Sequence, residues 1–189
     1  MKTKLLSLGL AAAMMFSLAA CTSNKNTAKL DNDKVENSLK QAGYDDVKVK
    51  VDNDKAVVTL DGNVKTAEDK DKAEQIAKSS APNFVIANQL AVRPEGAEGQ
   101  AKKVESNMDD AISSDWKALE AKNNWENQHI NTDVKNGVLT LKGDVDTPGQ
   151  RAAIEKAAAK IPHVEQVVNE LQVKSAKKGK KSAAQSASE

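Results

Sequence analysis

Val57-Val-Thr-Leu-Asp-Gly-Asn-Val64 returns 81 residues later as Val138-Leu-Thr-Leu-Lys-Gly-Asp-Val145. Six of the eight positions are identical or aliphatic in both copies. At the same offset Val85-Ile-Ala-Asn-Gln-Leu-Ala-Val92 matches Gln166-Val-Val-Asn-Glu-Leu-Gln-Val173, with Asn88/Asn169, Leu90/Leu171 and Val92/Val173 coinciding. Self-similarity at a fixed offset marks a repeated structural unit, so the fold is decided by reading one copy outward from its glycine.

Upstream of each quoted stretch lies a second short run of alternating residues. Val47, Val49 and Val51 alternate with charged residues, and Ile130, Thr132 and Val134 with polar ones. A period of two means a strand with one buried and one wet face. The turns Asp52-Asn-Asp-Lys55 and Lys135-Asn-Gly137 join the strands into hairpins, and Asn-Gly is a strong hairpin signal. Each hairpin follows a helix. Over 32–42, Val35, Leu39 and Ala42 share a face, and Gly43 stops the helix. Over 103–123, Val104, Met108, Ala111, Ile112 and Leu119 form the predicted stripe. Downstream, Thr66 and Thr147 are helix N-caps, the second with Pro148 at the first helical position and Gln150 placed for a capping box. Pro82 and Pro162 end these helices, and strands at 84–92 and 164–173 close the copies.

The predicted fold class is therefore α+β: two tandem small αββαβ modules, each a three-stranded sheet packed on two helices. The strand order stays open. The order of elements, with Gly62 and Gly143 in Val/Leu-Thr-Leu-x-Gly-x-Val and the closing Val-x-Asn-x-Leu-x-Val of the second copy, resembles the BON domain. The first copy departs at its close, where it reads Ile86-Ala-Asn-Gln-Leu-Ala-Val92. Gly62 and Gly143 are expected to be structural glycines at a bulge or a close backbone approach.

The N-terminus carries a different message. Lys2 and Lys4 precede an apolar run from Leu5 to Leu18 that is shorter than the ~20 residues a spanning helix needs. It reads as a secretory signal. Leu18-Ala19-Ala20-Cys21 resembles the bacterial lipoprotein signal and holds the only cysteine. The resemblance implies cleavage before Cys21 and lipid attachment there. Multiple acyl chains hold a protein stably on a membrane. In a two-membrane bacterium, Thr22 in place of aspartate implies the outer membrane, facing the periplasm. The expected organisation is a signal peptide at 1–20, lipidated Cys21 with a tether to 29, a first BON module at 30–92, a linker at 93–102, a second module at 103–173 and a disordered lysine-rich tail at 174–189. The Pro and Gly of the linker leave two arrangements open, independent modules or a modest docking interface.

Composition narrows the function. Over 22–173 the net charge is −5, so phosphate-driven nucleic-acid binding is disfavoured. His129 and His163 are the only histidines, and no nucleophile, base or nucleotide loop stands at workable spacing. No enzymatic activity, metal or cofactor is expected beyond the covalent lipid. Asp144 to Glu155 imitates a calcium loop, but Pro148 and Arg151 occupy unsuitable positions and the Thr147 cap accounts for the same residues. The Asp-Asn-Asp-Lys runs at 31–34 and 52–55 read as a helix start and a solvated turn.

Aromatic residues are scarce, and both tryptophans fall in the second copy. With Met108 at zero on a helical wheel, Ile112 lies at about 40° and Trp116 at about 80°. Trp116 is thus predicted at the margin of the buried stripe, where it either packs on the core or meets lipid. Trp125, past the helix, stands beside Lys122, and Lys117 follows Trp116. Tryptophan with lysine suits a headgroup layer. Trp116, Lys117, Lys122 and Trp125 are therefore the candidate phospholipid-binding residues, with anionic phospholipid as partner. By resemblance to BON proteins, the implied task is binding membrane surfaces and supporting envelope integrity under stress. The rival is an adaptor whose open sheet faces or strand edges dock an envelope protein.

Overall fold

The computed structural model describes residues 29–125 and 128–174. Cys21, the leader, the tether to residue 28 and the tail beyond Lys174 lie outside the described residues. The first module contains α1 (Asn32–Gln41), β1 (Lys48–Asp52), β2 (Val57–Val64), α2 (Ala67–Ser80) and β3 (Val85–Val92). The second contains α3 (Glu98–Asn123), β4 (Asn131–Lys135), β5 (Val138–Val145), α4 (Pro148–Ala158) and β6 (Gln166–Val173). The sheet orders are β1-β2-β3 and β4-β5-β6. Each hairpin is antiparallel, and the helix that follows it returns the chain to a third strand parallel to the second. That crossover puts one strand, β2 or β5, at the centre of each sheet.

Local chemistry explains the element ends. Thr66 Oγ1 accepts from the Asp69 N–H at the start of α2, and Thr147 Oγ1 from the Gln150 N–H at the start of α4. Gln150 Oε1 closes the second cap by accepting from the Thr147 N–H. Asn136 and Gly137 both take positive φ, as a two-residue hairpin turn requires. Asp109 of α3 holds that turn through the Asn136 and Gly137 N–H groups, at 2.9 and 3.0 Å. In the first module Asn32 of α1 accepts from the Val51 N–H and so ties the helix to strand β1.

Each core lies between one sheet face and two helices. Val35, Leu39, Val58, Leu60, Ala73, Ala77 and Leu90 are fully buried in the first module. Ile112, Trp116, Leu139, Leu141, Ile154 and Ala158 fill the second. Ile112 and Trp116 play the part that Val35 and Leu39 play in α1.

The predicted stripe on the long helix needs correction. Val104 and Met108 are exposed, at 52% and 40%. The buried side of α3 centres between Ile112 and Trp116, a rotation that leaves Met108 at the flank. Toward its start, this inward side carries Glu105 and Asp109, which serve backbone N–H groups instead of apolar partners. The helix also begins at Glu98, inside the segment expected to be linker.

The outer faces of the two sheets meet. Val57, Ala87, Val138 and Val168 form a buried cluster shared between the modules. These are two repeat-equivalent pairs, each 81 residues apart, so the contact is the intramolecular form of an isologous interface. Around it, Lys55 pairs with Glu170 at 2.5 Å, Lys135 with Asp61 at 2.6 Å and Lys70 with Glu165 at 2.8 Å. Such partly solvated pairs contribute little individually. The apolar cluster dominates, and a charge within it should break the contact. Val138→Asp is therefore expected to undock the modules, seen as a larger radius of gyration by small-angle scattering with helix content retained. An unchanged radius would contradict the assignment.

The free edge of β3 is also occupied. Its outward N–H groups at Asn88, Leu90 and Val92 donate to Gln166 Oε1, Asn88 Oδ1 and Glu105 Oε1. Gln166 Nε2 donates back to the Ile86 carbonyl at 2.6 Å, so one amide side chain imitates a neighbouring strand. Filled edges of this kind resist unwanted strand pairing.

Candidate functional site

The closing Val-x-Asn-x-Leu pattern has a structural reason. Asn88 Nδ2 donates to the Lys70 carbonyl and to Glu74 Oε2, at 3.1 and 3.0 Å. Asn169 repeats this with the Arg151 carbonyl and Glu155 Oε2. Each asparagine thereby ties the crossover helix to the third strand. Burial pushes the Glu74 carboxyl up, but hydrogen bonds from Lys78 and Asn88 and the charges of Lys78 and Lys70 outweigh it and hold it below its ordinary value. That stabilisation is full above the ordinary carboxylate range and is lost as the pH falls through the lowered value. Asn88→Ala leaves groups unpaired in a buried place and is expected to cost about 1–3 kcal/mol in a urea melt. A loss near zero would remove the tie from the account.

The two glycines sit where a strand crosses the chain entering the hairpin. A Cβ on Gly62 would collide with the Asp46 carbonyl oxygen, and one on Gly143 would lie 2.5 Å from the His129 carbonyl oxygen. Both take positive φ, at 139° and 127°. His129, in the segment leading to β4, and His163, in the turn before β6, are exposed and take positive φ.

The candidate lipid residues divide. Trp116, expected at the stripe's margin, is only 2% exposed and belongs to the second module's core. The reason is the rotation of α3 described above, which brings Trp116 inward. Trp125 is half-buried and stacks on it, with ring centroids 6.3 Å apart and planes at 30°. Lys117 and Lys122 are exposed on α3. Asn124, with left-handed backbone, ends the helix, and the Trp125 N–H bonds to the Glu120 carbonyl. The structure thus brings a half-exposed indole to the end of a helix that carries two exposed lysines, and it withdraws Trp116 into the support beneath.

Sequence reasoning did not find the shared cluster of Val57, Ala87, Val138 and Val168. A signal was present. Val57-Val58 and Val138-Leu139 place apolar residues consecutively in strands expected to alternate, which marks burial on both faces.

No helix among the described residues is long and apolar enough to cross a membrane. The BON domain family model matches residues 31–94 and 109–175. Osmotically-inducible protein Y of Escherichia coli (strain K12) is 29% identical over 157 residues, covering 82% of this chain and 72% of its own length. A solved structure of CdsD, a structural protein of the type III secretion system of Chlamydia trachomatis, aligns at 12% identity over 77% of this chain and 93% of that one, with a TM-score of 0.35. A structure of the CdsD C-terminal domain aligns at 11% identity over 77% and 68%, with a TM-score of 0.30.

Proposed function

Since the chain belongs to the BON domain family, we propose that it is a non-enzymatic cell-envelope lipoprotein that binds phospholipid surfaces and supports the envelope under stress. Cys21 carries the covalent lipid, and the protein faces the periplasm from the outer membrane. The similarity to osmotically-inducible protein Y supports a stress role.

One observation carries the choice of surface. Docking of the modules covers part of the outer sheet faces and fills the edge of β3, which reduces the surface an adaptor would offer. Lys117 and Lys122 stay exposed along α3, and half-buried Trp125 follows its C-terminal end. Trp116 acts there as a positioning residue for Trp125. The acyl chain holds this surface near lipid, so weak headgroup contacts act at high effective concentration.

The adaptor remains the second reading. Its support is the exposed Val104 and Met108 pair on α3. Co-sedimentation with anionic and zwitterionic vesicles separates the two. Lys117→Glu combined with Lys122→Glu is expected to weaken binding to anionic vesicles at least about tenfold, because each lysine near such a surface contributes ~1 kcal/mol. Undiminished binding by that variant, or equal binding to both vesicle types, overturns headgroup recognition at this site.

A further inference from the structure

Beside the shared apolar cluster, the two outer sheet faces diverge into a cleft of about 370 Å³ lined by both modules. That volume is at the lower end of the ~300–1,000 Å³ usual for small-molecule sites. Two of its wall residues are buried polar side chains, Gln89 at 8% exposed and Thr140 at 4%. Neither the Gln89 amide nor the Thr140 hydroxyl has a hydrogen-bond partner in the described residues, although buried polar groups normally have one. Neither is sealed from solvent, so both offer their polar atoms to the cleft.

The charges point the same way. Glu170 and Asp52 are engaged by Lys55, and Asp61 by Lys135. Lys48, Lys50 and Lys142 line the cleft with no carboxylate within ion-pair distance among the described residues. Asp133 is the one lining carboxylate that no lysine engages. Because Lys55 serves two carboxylates, the cleft with Lys135 carries a net excess of one positive charge, and the three lysines outside any ion pair are where an anion would be met. A hydroxyl, an amide and a carboxylate close by suit hydroxyl groups on the anion's carrier.

We propose that this cleft binds a phosphate ester of a small polyol, the phosphate on Lys48, Lys50 and Lys142 and the hydroxyls on Gln89, Thr140 and Asp133. The site is separate from the end of α3 and exists only while the modules are docked. A free solute and a lipid headgroup share this chemistry.

The test is a titration of isotopically labelled protein with glycerol 3-phosphate, followed by NMR at constant ionic strength. Glycerol alone and phosphatidylglycerol vesicles form the parallel arms. Saturable shifts of the Gln89 side-chain amide and the three lysine side chains are expected with the ester and not with glycerol. Lys50→Glu with Lys142→Glu should weaken the response about tenfold or more at an unchanged melting temperature. Thr140→Val should weaken it less. Cleft shifts with the free ester assign a soluble ligand, and cleft shifts with vesicles alone assign a headgroup. Either result supports the site. The proposal is overturned if no phosphate probe moves the cleft signals, if glycerol moves them equally, or if the charge-reversed variant responds like the parent.

Discussion

Gly143→Ala is expected to cost the second module about 3 kcal/mol or more, and Gly62→Ala the first module as much. Two penalties combine. A φ of 127° at Gly143 and 139° at Gly62 is a conformation that side chains strain to adopt. The added methyl at 143 would also stand 2.5 Å from the His129 carbonyl oxygen, a backbone atom that cannot swing aside. Relief requires moving the chain that enters β4, and with it the hairpin register. A small domain has only about 5 kcal/mol to lose, so the affected module should keep about 2 kcal/mol or less and melt at a much lower urea concentration. Gly99→Ala is the control. It sits in α3 with open space around it and no positive φ, so it should be neutral or slightly stabilising. Urea melts of the three variants decide. A Gly143→Ala protein that melts with the parent would show that the strand crossing is looser than described.

Trp116→Ala should be comparably damaging, at about 3–5 kcal/mol. The side chain is almost fully enclosed among Ile112, Leu139, Leu141 and Ile154, and its loss also removes the stacking partner of Trp125. Aromatic pairs contribute about 0.5–1.5 kcal/mol beyond burial. Lys117→Ala, one residue away on the exposed side, should shift stability by no more than about 0.5 kcal/mol. This contrast matters for any lipid experiment. Weak vesicle binding by Trp116→Ala would report a damaged module, whereas the charge reversals at Lys117 and Lys122 test the surface itself. A Trp116→Ala protein as stable as the parent would contradict the enclosed position of this indole.

The elements were legible in the sequence because their causes are local. Alternation at Val47, Val49 and Val51, the Asn136-Gly137 turn and the Thr147 cap with Gln150 each act within a few residues. The parallel pairing of β3 with β2 was not legible, because it depends on where α2 returns the chain. Polar residues caused the error on α3. Glu105 and Asp109 look like a solvent face, and Val104 and Met108 look like a core face. The acids in fact face backbone N–H groups of β3 and of the β4–β5 turn, and the apolar pair stands in solvent. The candidate lipid residues were found as a group, but the inward position of Trp116 depends on that same misread rotation. The cleft was out of reach for a related reason. Lys48, Lys50, Gln89 and Thr140 come from different modules and have nothing in common until the sheets meet.

That meeting underlies the cleft, the closed edge of β3 and the choice of α3 as the outward surface. Methyl-labelled protein tests it most directly. Nuclear Overhauser contacts should link the methyls of Val57 and Ala87 to those of Val138 and Val168, and should vanish in Val138→Asp. Absence of these contacts in the parent, with the two modules tumbling independently, would contradict the account.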